Sequence, residues 1–93
     1  MERNEQMKQA QKLARKLERA CDSGDLCGWF DGSHIGTTEN RATVIFGDCP
    51  WTTLEFDAKK GEAFIYVGSF GKARVPKRAM YELGEFFNAL HNC

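Results

Sequence analysis

Cysteine and histidine are the residues of this chain best suited to catalysis or metal binding, and their spacing supports neither. A nucleophilic cysteine needs a base within hydrogen-bond reach, but Cys27 and His34 have no catalytic motif around them. A structural zinc site needs ligand pairs about two to four residues apart, and the cysteines are not spaced in this way. The sequence therefore predicts a protein that is not an enzyme and that holds no metal ion or cofactor.

The cysteines also bear on where the protein works. The first residues are charged and lead into no apolar segment of the kind that secretory signals contain. We therefore expect reduced thiols, as in cytoplasmic proteins, at Cys21, Cys27, Cys49 and Cys93. No apolar run is long enough to cross a bilayer. The sequence predicts a cytoplasmic protein without a membrane partner.

Cations and aromatic rings are concentrated in the last third of the chain. Cations can hold phosphates while rings stack on bases, as in platforms for single-stranded nucleic acid. The candidate residues are Tyr66, Phe70, Lys72, Arg74, Lys77 and Arg78. The formal net charge of zero argues against this function, because dedicated nucleic-acid binders are usually basic overall. Direct nucleic-acid binding is therefore the alternative hypothesis.

Acidic residues dominate the middle of the chain, where residues 22–57 carry seven carboxylates and one cation. Acidic side chains can imitate phosphates against a basic groove of a partner, or they can serve only to keep a surface solvated. Both interpretations stay open. The candidate acidic contact residues are Asp22, Asp25, Asp31, Glu39 and Asp48.

Two helices are indicated by apolar residues that recur every three or four positions. The first covers residues 2–21, is thinly apolar, and is expected to end at Gly24 in a left-handed conformation. The last begins at Pro76, which is well suited to a first helical position. Its stripe contains Ala79, Met80, Leu83, Phe86, Phe87 and Leu90.

Strands are predicted between the helices, and the one at residues 62–68 is the most informative. Its apolar residues are bounded by glycines, with Ala63, Ile65 and Val67 on one face and Phe64 and Tyr66 on the other. A strand that is apolar on both faces lies inside a covered sheet or presents aromatic rings to a partner. Further strands are predicted at residues 26–30, 41–46, 51–56 and 72–75, with a loop or irregular edge at 33–40.

Short strands joined by tight turns form antiparallel meanders, because parallel crossovers need longer connections. The predicted fold is a single α+β domain over residues 1–93. It has an N-terminal helix, an antiparallel meander of four to five strands, and a C-terminal helix packed on the sheet. The predicted core contains Leu13, Leu17, Val44, Phe46, Leu54, Phe56, Ile65, Val67, Met80, Leu83, Phe87 and Leu90.

The order of elements over residues 41–91, a strand meander followed by a helix, resembles the coactivator-type and whirly single-strand DNA-binding proteins. In size and build the whole chain is similar to the small inhibitors that bacteriophages and mobile elements encode, including anti-CRISPR proteins. That resemblance implies a binding module that masks a site on a larger host protein or protein–nucleic-acid complex. This is the predicted function. The identity of the partner, the face that binds it and the oligomeric state stay open.

Overall fold

A computed structural model describes residues 3–47 and 51–92, which form an α+β fold. Helix α1 spans Arg3–Ser23 and is followed by the single helical turn α2 at Leu26–Trp29. The strands are β1 at His34–Thr37, β2 at Arg41–Ile45, β3 at Thr52–Asp57, β4 at Glu62–Val67 and β5 at Gly71–Arg74. A 3-10 turn at Lys77–Ala79 leads into helix α3 at Met80–His91.

The five strands form one antiparallel sheet in the order of the sequence, β1-β2-β3-β4-β5. Val44, Leu54, Ile65 and Ala73 lie opposite one another across four neighbouring strands. Each of these side chains is buried. The predicted fold class, with its two terminal helices and antiparallel meander, is confirmed.

Both long helices cover the same face of the sheet. Helix α1 packs across β4 and β5, where its buried residues include Ala10, Ala14 and Leu17. Helix α3 contacts β1 and β3, and the rings of Phe56 on β3 and Phe87 on α3 are 5.2 Å apart. A Cβ atom at Gly84 would lie 3.6 Å from Phe56 Cζ. The glycine thus lets α3 come close to the sheet.

The N-terminal end of α1 is fastened to the turn between β4 and β5. The Phe70 N–H donates a hydrogen bond of 2.9 Å to Gln6 Oε1. At the other end of the helix, Gly24 adopts φ +76°, the left-handed conformation predicted from its position. The Asp25 N–H then donates to the Ala20 carbonyl oxygen at 3.0 Å, which closes the helix.

Two predictions of local structure were wrong: a segment predicted as a strand forms a helical turn, and a segment predicted as a loop forms a strand. Residues 26–30, predicted as a strand, contain α2, in which the Phe30 N–H donates to the Leu26 carbonyl oxygen at 3.0 Å. A short apolar run fits a buried helical turn as well as a strand. The segment predicted as a loop or irregular edge contains β1, where Ile35 lies opposite Val44. Backbone pairing with β2 holds β1 even though Ile35 is its one apolar side chain that packs against the core.

The core prediction is largely confirmed, with one error. Leu90 is 39% exposed near the end of α3 and is not a core residue, because every residue of that last turn, 88–91, is exposed. Leu13, Phe46 and Met80 are only partly buried against the core. The prediction also omitted Leu26, Phe30 and Val75, all of which are buried.

Two further features of the described residues concern membranes and thiols. No helix within residues 3–47 and 51–92 combines the length and apolar character needed to cross a membrane. Cys21 and Cys27 are free thiols, the first buried and the second exposed. The predictions for Cys49 and Cys93 lie outside the described residues.

Candidate functional site

The second face of the sheet is formed by the alternate residues of β2 to β5 that do not enter the core. Every side chain on it is exposed or half-buried, whereas its neighbours along each strand point toward the helices. We call this surface the uncovered face. It consists of Arg41, Thr43, Ile45, Thr53, Glu55, Asp57, Glu62, Phe64, Tyr66, Lys72 and Arg74.

Two aromatic rings and two cations form the centre of one half of the uncovered face. Phe64 and Tyr66 lie two residues apart on β4, and their ring centroids are 6.4 Å apart. The strand register places Lys72 opposite Tyr66 and Arg74 opposite Phe64. Lys72 Nζ is 4.5 Å from the Phe64 centroid and 5.7 Å from that of Tyr66. Arg74 Cζ is 5.2 Å from the Phe64 centroid. We call these four residues the aromatic–cation cluster.

A band of carboxylates borders the cluster on the side of β3. Glu55 lies directly opposite Phe64, and Asp57 lies opposite Glu62. Glu62 Oε2 is 3.1 Å from Arg74 Nη2, and Asp57 Oδ2 is 3.4 Å from Arg41 Nε. The uncovered face therefore carries three carboxylates on β3 and β4, between Arg41 on β2 and the two cations on β5, and its formal charge is zero.

Two groups on this face have altered pKa values. The Lys60 N–H donates a 3.1 Å hydrogen bond to Asp57 Oδ1, and this bond lowers the pKa of Asp57, with a further contribution from Arg41. Burial raises the pKa of Tyr66, and the nearby Glu55 and Glu62 charges raise it further. Tyr66 therefore keeps its hydroxyl proton at neutral pH and can donate a hydrogen bond to a partner.

The uncovered face is slightly concave. A depression of about 320 Å³ lies over the middle strands, with Thr43, Glu55, Phe64, Tyr66 and Lys72 among its lining residues. It contains apolar rings, a cation and a carboxylate within one continuous surface. Aromatic rings beside charged groups are typical of surfaces that bind other proteins.

The predicted basic and aromatic residues fall into two groups. Tyr66, Lys72 and Arg74 meet in the aromatic–cation cluster. Phe70 lies in the turn between β4 and β5 and is bonded to α1 through its N–H. Lys77 and Arg78 lie in the 3-10 turn.

Arg78 is engaged on the helix side of the sheet. Its Nη2 is 2.6 Å from Asp22 Oδ2, and its Nη1 is 3.9 Å from Glu18 Oε1. The hydrogen bond to Asp22 and the two acidic charges raise the pKa of Arg78. Two residues that the sequence assigned to opposite candidate surfaces, Asp22 and Arg78, are therefore partners of each other.

The predicted acidic residues do not form one cluster in the part of the chain that the structure describes. Asp25 and Asp31 are exposed on either side of α2, whereas Glu39 is exposed in the turn between β1 and β2. Asp31 and Glu39 thus lie beyond opposite ends of β1. Asp48 lies outside the described residues.

Sequence reasoning did not name Arg41, Ile45 and Glu62 of the uncovered face as candidate contacts, and it gave an outward Phe64 only as one of two alternatives. A signal for Phe64 was present, since the alternation along residues 62–68 places it beside Tyr66. The others could be assigned only from the register of the strands. Ile45 is 42% exposed and extends the apolar part of the face onto β2.

The catalytic candidates do not meet one another, although His34 borders the uncovered face because it lies opposite Ile45. His34 is exposed on the edge strand β1, and His91 Nδ1 lies 3.4 Å from Thr37 Oγ1. Burial raises the pKa of the Cys21 thiol to about 11, which makes it a poor nucleophile. Within residues 3–47 and 51–92, no three His, Cys, Asp or Glu side chains are grouped so that they could hold a metal ion.

Comparison with known proteins identifies no relative. No family model, no curated protein sequence and no solved structure matches this chain. The chemistry of the uncovered face is therefore the basis on which a function can be assigned.

Proposed function

We propose that this chain is a non-enzymatic protein-binding module that docks on its partner through the uncovered face. The observation that carries the proposal is the aromatic–cation cluster, which lies on the side of the sheet opposite the two long helices. Tyrosine, arginine and other large residues near the centre of an interface supply most of the binding free energy. Phe64, Tyr66 and Arg74 have this composition, and the charged bands around them form a polar rim.

The charge arrangement favours a protein over a nucleic acid as the partner. Arg41 and Arg74 are already paired with carboxylates, and the Lys72 ammonium lies close to the Phe64 ring. A nucleic acid would need these cations on its phosphates and these rings on its bases. The three carboxylates of the same face would repel those phosphates. A protein surface with an apolar centre and charges of both signs is complementary to this face.

The proposed role of such docking is inhibition. A small module that occupies a site on a larger host protein or protein–nucleic-acid complex blocks that site without any chemistry of its own. The mixed surface, with its adjacent bands of opposite charge, supports a specific contact because wrong partners place like charges together. Inhibitors encoded by phages and mobile elements act in this manner, and the proposal places this chain in that functional class.

The test compares two variants in affinity purification from the native host, with quantitative mass spectrometry as the readout. Phe64→Thr/Tyr66→Thr removes both rings while keeping residues that favour strands. Tyr81→Gln is the matched control, because Tyr81 is 70% exposed on α3, away from the sheet. We expect a protein that the wild type and the control retain and that the double variant loses at least tenfold. Equal retention by all three would contradict docking through the uncovered face.

Direct nucleic-acid binding is tested separately by fluorescence anisotropy. Labelled single-stranded and duplex DNA and RNA are titrated with the protein at low salt. Binding through cations weakens steeply as salt rises, and Lys72→Ala/Arg74→Ala would reduce that slope by about one unit for each phosphate that the variant no longer binds. We expect no binding at micromolar protein. Micromolar binding that the double variant abolishes would overturn the assignment to a protein partner.

A further inference from the structure

Strand β1 forms one edge of the sheet, and no strand of the described residues lies on its outer side. The Thr38 N–H donates to the Arg41 carbonyl oxygen at 2.8 Å, and bonded and non-bonded residue pairs alternate along an antiparallel ladder. Every second residue of β1 therefore bonds to β2. The other two, Ile35 and Thr37, direct their backbone N–H and carbonyl groups outward.

The two edges of the sheet are protected unequally against pairing with another strand. Edge strands usually carry charged residues or proline, which discourage such pairing. Strand β5 carries Lys72 and Arg74, and Pro76 follows two residues after its end. Strand β1, at His34–Thr37, contains no lysine, arginine, carboxylate or proline. The edge at β1 is therefore open to a further strand.

The side chains of β1 are complementary to a second copy of the same strand. In an antiparallel pair centred on Gly36, Ile35 of one copy would lie opposite Thr37 of the other, and these two residues would exchange both backbone hydrogen bonds. Gly36 would lie opposite Gly36, in the kind of pair where side chains of two strands come closest. A Cβ atom at Gly36 would have no atom within 4 Å. The centre of the pair is therefore free of steric obstruction.

Apolar surface beside β1 also favours a second copy of the chain. His91 Nδ1 lies 3.4 Å from Thr37 Oγ1, which places the last turn of α3 beside that end of the strand. Leu90 in this turn is 39% exposed, and Ile35 is half-buried. Because Thr37 would lie opposite Ile35 of the second copy, Leu90 would come close to that isoleucine. Pairing would thus remove apolar surface from water as well as form hydrogen bonds.

We infer that this chain forms a symmetric homodimer by antiparallel pairing of β1 with β1 of a second copy, which joins the two five-stranded sheets into one. The same surface contacts itself across a two-fold axis, as in most homodimers. The axis is perpendicular to the sheet, so both uncovered faces lie on one side of it. A contact this short is typically weak, and we expect a dissociation constant in the micromolar range. The dimer does not depend on the proposed function.

The first test measures self-association by sedimentation velocity. We expect the wild type to change from monomer to dimer between about 5 and about 500 µM protein. Gly36→Lys should weaken the dimer at least about tenfold, because it places two ammonium groups opposite each other at the axis. Gly36→Glu should do the same with two carboxylates. Circular dichroism checks that both variants keep the fold, which the open space around Gly36 allows.

Mixing the two variants provides the matched control. An equimolar mixture of Gly36→Lys and Gly36→Glu should dimerise at least as tightly as the wild type, because opposite charges then meet at the axis. A general loss of folding or solubility in the variants would not be reversed by mixing.

Amide hydrogen exchange, followed by NMR on the wild type, tests the register without any substitution. The N–H groups of Ile35 and Thr37 should exchange at least about fivefold more slowly at high than at low protein concentration, because pairing protects them. The Gly36 N–H is bonded to β2 in both states, so its exchange should change less.

The inference is overturned if the wild type stays monomeric at about 500 µM, a result that would leave β1 to an extended segment of another protein. It is overturned equally if Gly36→Lys dimerises as tightly as the wild type, because another surface would then form the contact. Failure of the mixed variants to dimerise would overturn the pairing centred on Gly36, and so would unchanged exchange at Ile35 and Thr37.

Discussion

The two faces of the sheet are built from the same four strands and yet have opposite chemistry. Toward the helices, β4 presents Ala63, Ile65 and Val67, each with no measurable exposure. Away from the helices, the same strand presents Phe64 and Tyr66, which stay half-buried beside cations and carboxylates. The two aromatic rings, which are the largest side chains of β4, are therefore on its less buried side. Rings on a less buried face are typical of interaction surfaces, and these two are the rings that we propose to contact a partner.

The comparison is sharpest for two adjacent residues of β4. Ile65→Ala should lower the free energy of unfolding by about 2–5 kcal/mol, because it leaves a cavity in a packed core. Tyr66→Thr, on the uncovered face, should change it by less than about 1 kcal/mol. Urea denaturation followed by circular dichroism measures both. Equal losses of stability would show that the uncovered face contributes as much to stability as the core face does, which would contradict the difference between the two faces.

The reactivities of the buried Cys21 and the exposed Cys27 measure how well the helix-covered face is protected. The pKa of Cys21 rises from 9.0 to about 11, so at a given pH its thiolate is about a hundredfold less abundant than that of an ordinary thiol. Burial further limits access of a reagent. Iodoacetamide at pH 8 should therefore alkylate exposed Cys27 at least a hundredfold faster than Cys21, as measured by peptide mass spectrometry.

The denatured protein is the control for this experiment. The difference between Cys21 and Cys27 should disappear in concentrated urea, where neither thiol is buried. Comparable rates in the folded protein would show that α1 opens readily from the sheet and that the helix-covered face is less protected than its packing indicates.

Substitutions of Thr52 and Thr53 should change the free energy of unfolding by less, and the change at Thr52 should be an increase. Thr52→Val removes a buried hydroxyl that has no partner among the described residues and should raise the free energy of unfolding by about 1 kcal/mol. Thr53→Val changes a half-buried residue of the uncovered face and should be close to neutral. Thermal denaturation of both variants measures the difference. A loss of stability in Thr52→Val would show that the hydroxyl is bonded in solution.

The smallest effect concerns pH. The pKa of Asp57 in the folded protein is lowered below 3.8 by the Lys60 N–H, so its contribution to stability is present above that value. The contribution is lost as the pH falls from about 4 through the lower folded pKa. Asp57→Asn should therefore make stability less dependent on pH below 4. Glu55→Gln, which removes a carboxylate from the same face but leaves the Lys60 hydrogen bond intact, is the control.

Much of the fold could be predicted because its signals are local. Helical periodicity, Gly24 at the end of α1 and the alternation along β4 each depend on residues close in sequence. The errors arose where local signals were weak or ambiguous. The apolar run 26–30 was too short to separate a helical turn from a strand, and β1 is recognisable only from its pairing with β2.

The candidate site was less predictable because it depends on contacts between distant residues. Arg78 and Asp22 are 56 residues apart in sequence and form a 2.6 Å contact, which no pattern in either segment indicates. The neighbours of Phe64 on β3 and β5 likewise follow from the register of three strands. Sequence could identify Tyr66, Lys72 and Arg74 as a group because they lie on two strands joined by one tight turn.

The attachment of α1 to the last hairpin has a consequence for biosynthesis. Gln6 bonds to Phe70 across 64 residues, and α1 packs mainly on β4 and β5. A polypeptide is made from its N-terminus. Helix α1 is therefore synthesised before β4 and β5 and cannot pack on them until they are made. Contacts of such long sequence separation slow folding. During translation the apolar stripe of α1 is therefore exposed to chaperones, or to other nascent chains, until β5 has left the ribosome.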